Sequence, residues 1–196
     1  MKNWKNPTIA LVVLVLGFAL FSTGCGKDEG SSKSSATYQK AGISFQYPIN
    51  WRSFRSEAVS GMRTQITSEL RKFNRTLVSL DMYISSDEEV AFFVSKVQAD
   101  NALSADDILA ERRNVYEDAT RAGDVTRVNK LERTTVNDLL AVVEDVERSN
   151  GGRGHTVKLL KGRLIVELSL IVNDKSKYDK HVGEYEQILA TMKVQD

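Results

Sequence analysis

Cysteine, histidine and proline are scarce in this chain, which holds one, two and two of them among 196 residues. A single cysteine excludes an internal disulfide and a cysteine-rich zinc site. Two histidines leave little material for an imidazole metal centre. Neither sign of charge dominates: 27 basic and 26 acidic residues give a formal net charge of +1, which argues against a general nucleic-acid binder. The longest apolar run, Ile9 to Phe21 with Gly17 included, has 13 residues, short of the roughly 20 that cross a bilayer as a helix. What is present, 41% hydrophobic and 27% charged residues, is globular in composition and suits one domain.

The short apolar run is instead the right length for the core of a secretory signal, and Lys2 and Lys5 stand before it. The alternative is a single-pass anchor, since Asn6 to Gly26 taken whole would just reach spanning length. The end of the run separates the two readings. Phe21-Ser22-Thr23-Gly24-Cys25 places small residues directly before the chain's only cysteine. This segment resembles the lipobox of bacterial lipoproteins, with Ser22 in place of the commoner leucine. The resemblance implies that residues 1–24 are a signal peptide and that Cys25 carries diacylglycerol and becomes the new N-terminus, with fatty acyl chains of the palmitate type. At about 0.8 kcal/mol per buried CH₂, two or three such chains hold a domain stably on a membrane. Without Lys2 and Lys5 the chain from Cys25 has 25 basic against 26 acidic residues, so no polybasic patch assists the anchor. Residues 25–36 read as the lipidated cysteine and a flexible Gly/Ser-rich tether. Where such a bacterium has two membranes, an aspartate after the cysteine tends to retain the protein at the inner one. Gly26 stands there, which implies the periplasmic leaflet of the outer membrane. The expected location is thus the extracytoplasmic side of the bacterial envelope.

From Thr37 to Asp196 the pattern predicts a single α+β domain. Ile43, Phe45 and Tyr47 alternate with polar residues in a strand that Pro48 ends. Val59, Met62, Ile66, Leu70 and Phe73 recur at spacings of three and four, an amphipathic helix over about 56–74. Strands follow around Val78–Ile84 and Ala91–Ala99. Ser104 with Asp107 is a helix start, and Gly123 a stop. Strands are then predicted over 125–136, 139–148, 157–160 and 164–172, the last nearly all apolar and so expected at the sheet's centre. Tyr178, Val182, Tyr185, Leu189 and Met192 mark a closing helix. Four consecutive strands without intervening helices mean an antiparallel sheet flanked by helices, not a doubly wound parallel one.

The stretch Ala41-Gly42-Ile43-Ser44-Phe45-Gln46-Tyr47-Pro48-Ile49-Asn50-Trp51 resembles the opening of the PsbP and DcrB group of domains. The hairpin around Gly162, the apolar strand and the terminal helix with Tyr185, Ile188 and Leu189 are similar to their close. The resemblance implies a PsbP-like α/β/α sandwich on an extracytoplasmic, often lipid-anchored protein. It further implies help in building or stabilising membrane assemblies, without catalytic apparatus.

A catalytic constellation is not legible. No G-x-S-x-G elbow occurs, and Asn150-Gly151-Gly152-Arg153-Gly154 lacks the lysine–hydroxyl pair of a phosphate loop. His155 is expected exposed at a strand start, and His181 partly buried with a satisfied nitrogen. Asp87, Glu88 and Glu89 lack the order of a calcium loop and read as a solvated turn. No metal and no cofactor are therefore expected, and an enzyme would need one of the histidines beside a nucleophile or carboxylate. Asp81, Glu144 and Glu167 fall inside predicted strands, and alternation suggests one polar sheet face with Lys158 or Arg163 as partners. These residues form the candidate binding surface. Two functions follow as expectations: a non-enzymatic accessory protein docking a protein partner at the membrane surface, or a carrier of a small or lipidic ligand between sheet and helices. A sizeable apolar cavity would favour the carrier, and a tightly filled interior with an exposed apolar patch the partner.

Overall fold

The computed structural model describes residues 35–54 and 57–195. The expected signal peptide, Cys25 and the tether as far as residue 34 lie outside the described residues. Among the described residues no helix is long and apolar enough to cross a membrane.

Among the described residues ten strands and three α-helices follow in chain order: β1 (Ser35–Lys40), β2 (Ile43–Pro48), β3 (Arg52–Ser53), α1 (Glu57–Lys72), β4 (Arg75–Ile84), β5 (Val90–Ala99), α2 (Ala105–Arg121), β6 (Val125–Val136), β7 (Leu139–Arg148), β8 (Arg153–Lys161), β9 (Leu164–Val172), α3 (Tyr178–Thr191) and β10 (Lys193–Val194). Seven strands form the main sheet in the order β3-β4-β5-β9-β8-β7-β6, and β1-β2-β10 form a small one. Every pairing is antiparallel. The architecture is the α+β sandwich that the sequence predicts, and β9 does lie in the middle of the main sheet. Its apolar residues are needed on both sides because both faces of that strand are covered.

Parity along the strands divides the core in two. Val94, Val143, Val157, Leu168 and Leu170 point to one face. There they meet α3 through Tyr185 and Ile188, and the small sheet through Tyr38, Ile43 and Phe45. Aromatic rings fill this layer: Tyr38 stacks on Phe45 at 4.6 Å, and Phe45 meets Phe92 edge-on at 5.7 Å. Trp51 is buried against Phe92, where it closes the end of the core as the Tyr-Pro turn before it suggests. The two-residue turn Ala41-Gly42, with φ of 52° and 76°, makes the tight hairpin of β1 and β2, because left-handed turns match the twist of antiparallel strands.

The opposite face carries α1 and α2. Met62 and Ile66 of α1 cover Leu80, Met82, Ile84 and Phe93. Ile108 and Leu109 of α2 cover Val97, Val142 and Ile165. α2 begins in a complete capping box: Asp107 N–H donates to Ser104 Oγ, and Ser104 N–H donates to the Asp107 carboxylate. The apolar stripe of α2 is thinner than that of α1 and suggests a more exposed helix, but α2 buries Ala105, Ile108, Leu109, Tyr116 and Ala119, against Met62 and Ile66 of α1. Between the two helices a strip of the sheet is left uncovered.

Candidate functional site: a cleft between α1 and α2

A cleft of about 860 Å³ opens on that uncovered strip, within the size range of small-molecule sites, roughly 300–1,000 Å³. Ile66 and Leu70 line it from α1, Val115 from α2, and Phe93, Ile165 and Ile171 from the sheet. Across this apolar floor runs a row of charges. Arg112 of α2 donates from Nε to Glu144 of β7 at 3.0 Å. The Nζ of Lys158 on β8 lies 3.5 Å from Glu144 Oε1 and hydrogen-bonds Glu167 of β9, its direct cross-strand neighbour. Tyr116, one turn beyond Arg112, donates its hydroxyl to Glu144 Oε2, and Arg112 lies over the Tyr116 ring at 4.8 Å. Ser169 continues the row, donating to Glu167 and bonding Thr156 at 2.9 Å.

These charges are buried as well as paired. Glu144 is 1% exposed. Burial alone would raise its carboxyl, but Arg112, Lys158 and the Tyr116 hydroxyl together hold it below the ordinary carboxylate value. Burial would lower Arg112, and Glu144 beside it reverses that and holds the guanidinium firmly charged. Tyr116 is raised by burial, with Glu144 adding to the effect, so its phenol keeps its proton. Neither histidine lines the cleft. The arrangement offers fixed charges and hydroxyls against an apolar wall, which suits binding and orientation.

Three of the four residues expected on a polar sheet face, Glu144, Lys158 and Glu167, come together here. Asp81 does not. It shares parity with Tyr83, which belongs to the α3 core, and so projects on the other side of the sheet. There it accepts hydrogen bonds from Tyr38 Oη at 3.0 Å and Lys40 Nζ at 2.7 Å, joining β1 to β4. Arg163 is not the partner of the acidic pair either; its guanidinium reaches the Asp100 carbonyl. Lys158 is the partner, as expected, on Glu167 and beside Glu144; Arg112, which joins it on Glu144, is the residue sequence reading missed. The available signal was its place in the helical series Ala105, Ile108, Arg112, Tyr116 and Ala119, where a cation interrupts an otherwise buried stripe.

The histidines lie on the α3 side. His155 is half-buried rather than exposed: its Nδ1 is 2.6 Å from Tyr178 Oη and 3.5 Å from Asp145. Its strand neighbours Val157 and Leu159 draw the same side of β8 into the core. Asp145 also receives two hydrogen bonds from Arg153, whose guanidinium stacks on Tyr178 at 3.7 Å. His181 is 3% exposed, with Nε2 3.2 Å from Glu89 and Nδ1 3.0 Å from Glu184. Asp87, Glu89 and His181 place ligating atoms within 4.8 Å of one another. The Lys180 ammonium sits on both carboxylates, at 2.7 and 2.8 Å, and already supplies the positive charge a cation would bring.

No family model matches this chain, and no characterised protein matches it in sequence. Solved structures do match. The solution structure of cyanobacterial PsbP from Synechocystis sp. PCC 6803 superposes with a TM-score of 0.57 at 12% identity, covering 87% of this chain and 98% of that one. The fold is PsbP-like. A crystal structure from Bacteroides thetaiotaomicron aligns with a TM-score of 0.52 at 14% identity over 84% of this chain. This chain spans half the length of that protein. In the PsbP-like fold of this chain, the cleft lies on the face away from the small sheet and the terminal helix.

Proposed function

We propose that this chain is a non-enzymatic accessory protein, lipid-anchored through Cys25 on the extracytoplasmic side of a bacterial membrane, that carries a small or lipidic ligand in the α1–α2 cleft. The cleft is the observation that supports this reading. The α3 side of the sheet is filled by packed aromatic and aliphatic side chains, whereas the α1–α2 side holds an open space of about 860 Å³. By the criterion of cavity against filled interior, the carrier reading is favoured over docking of a protein partner. The resemblance of Phe21–Cys25 to a lipobox and the Gly/Ser-rich stretch after it support an anchored carrier within reach of amphiphilic molecules.

Two measurements test it. Cys25→Ser should move the protein from the detergent phase to the aqueous phase while its circular dichroism is unchanged; continued membrane retention would refute the anchor. Photo-cross-linking in intact cells from a probe placed at Val115 should yield small-molecule adducts. Reproducible adducts to a protein alone would replace the carrier by a partner-binding role.

A further inference from the structure

The charge of the cleft restricts what can enter it. Every charged side chain of its lining has an opposite charge in contact. Beyond the floor pairs, Lys72 bonds Glu69 at 2.8 Å, Arg75 holds Glu111 through two hydrogen bonds, and Asp118 meets Arg121 at 2.9 Å. An ion entering such a site finds every fixed charge of the lining already paired and brings a charge with no counter-charge against an apolar wall, which is costly. Displacing one member of a floor pair to bind it would leave the other member buried and unpaired.

Two polar atoms of the lining residues are nevertheless unsatisfied, Arg75 Nε and, within the row, Glu144 Oε1. Glu144 Oε1 is buried and accepts no hydrogen bond among the described residues. Arg112 Nε lies 3.0 Å from it but directs its hydrogen at Oε2, and Lys158 Nζ stands at 3.5 Å. A buried carboxylate oxygen without a donor is costly, and a hydroxyl or amide N–H on a ligand would satisfy it. The helical walls of the same cleft contribute aliphatic side chains, Ile66 and Leu70 from α1 and Ile108 and Val115 from α2.

We infer that the cleft takes an amphiphile of no net charge, with an apolar tail between α1 and α2 and a hydroxyl- or amide-bearing head on the Arg112–Glu144–Lys158–Glu167 row. This rests on reading the cleft as a ligand site. Net neutrality sets the selectivity, and the unsatisfied Glu144 oxygen sets the need for a donor. It follows that unbalancing the row by one charge should change the preferred ligand in a defined direction.

The test is displacement of Nile red from the full-length protein by three twelve-carbon amphiphiles: 1-monolauroylglycerol, laurate and dodecylammonium. With the native chain, monolauroylglycerol should displace the dye at concentrations at least about tenfold lower than either charged compound. Glu167→Gln leaves the row one positive charge in excess and should improve laurate about tenfold relative to monolauroylglycerol. Lys158→Met should do the same for dodecylammonium. Both variants approximate the shape of the native residue, and circular dichroism verifies their folding. A charged amphiphile that equals the neutral one on the native chain, or an unchanged ranking in a folded variant, overturns the inference while leaving a ligand site in place. If neither the dye nor any amphiphile binds, the carrier reading falls and the inference with it.

Discussion

Removing the carboxylate of Glu144 would leave Arg112, on the adjoining helix, buried without its counter-charge. Breaking a buried pair from one side typically costs about 3–5 kcal/mol, more than the pair itself contributes. Glu144→Gln should therefore lower the urea midpoint markedly, whereas Tyr116→Phe, which removes one hydrogen bond to the same carboxylate, should cost about 1–2 kcal/mol. The pH dependence has a definite sign. Glu144 is held below its ordinary value by Arg112 and Lys158 against the opposing effect of burial. Asp145 behaves alike: burial would raise it, and His155, Arg153 and Asn129 hold it well below. Both bind fewer protons folded than unfolded, so their stabilisation is fully present above the ordinary carboxylate range, about pH 4. It is lost progressively as pH falls toward the depressed folded values. Thermal melts should show Tm flat near neutrality and falling below about pH 4; a Tm that rises with acidification would contradict these pairs.

Among the elements, α2 matters most to the cleft, because it carries Arg112 and Tyr116 and forms one wall. Its start was legible from four residues, since a capping box is a local arrangement of Ser104 and Asp107 that needs no other part of the chain. Ser104→Ala should destabilise by about 1 kcal/mol, with hydrogen exchange accelerated in the first turn of α2. β9 was legible for another reason: a strand of Leu, Ile and Val on both faces belongs in the middle of a sheet. Arg112 was not legible as a core contact. Helical spacing shows that it shares a stripe with Ile108 and Tyr116, but only the opposing strand shows that an acid waits there. His155 was misjudged in the same way, because a turn beside Gly154 suggests solvent until α3 brings Tyr178 over it.

At the scale of the whole molecule, the main sheet separates two tasks. One face is closed by aromatic packing, the small sheet and α3; the other is held apart by two helices that do not meet over the strip between them. Asp81 belongs to the closed side, where Tyr38 and Lys40 bond to it. Asp81→Ala leaves the buried Tyr38 hydroxyl without its acceptor and should cost about 1–3 kcal/mol. It should not alter amphiphile displacement from the cleft. A loss of binding in a folded Asp81→Ala protein would contradict the assignment of the two faces.

By itself the sequence left β1, β3 and β10 illegible but determined the order of the three helices and of β2 and β4 to β9, the antiparallel class of the sheet, the central place of β9 and the cap of α2. Each of these follows from local periodicity, composition or neighbouring residues. Only the tertiary structure decided which acidic residues share a face. Alternation tells that Glu144 and Val143 point to opposite sides of β7, and that Asp81 and Leu80 do so on β4; it carries no information on how one strand's sides match another's. That match is set by hydrogen-bond register across five strands and by which layer each helix covers. The cleft exists for the same reason, as the space two helices leave when each packs on its own apolar patch.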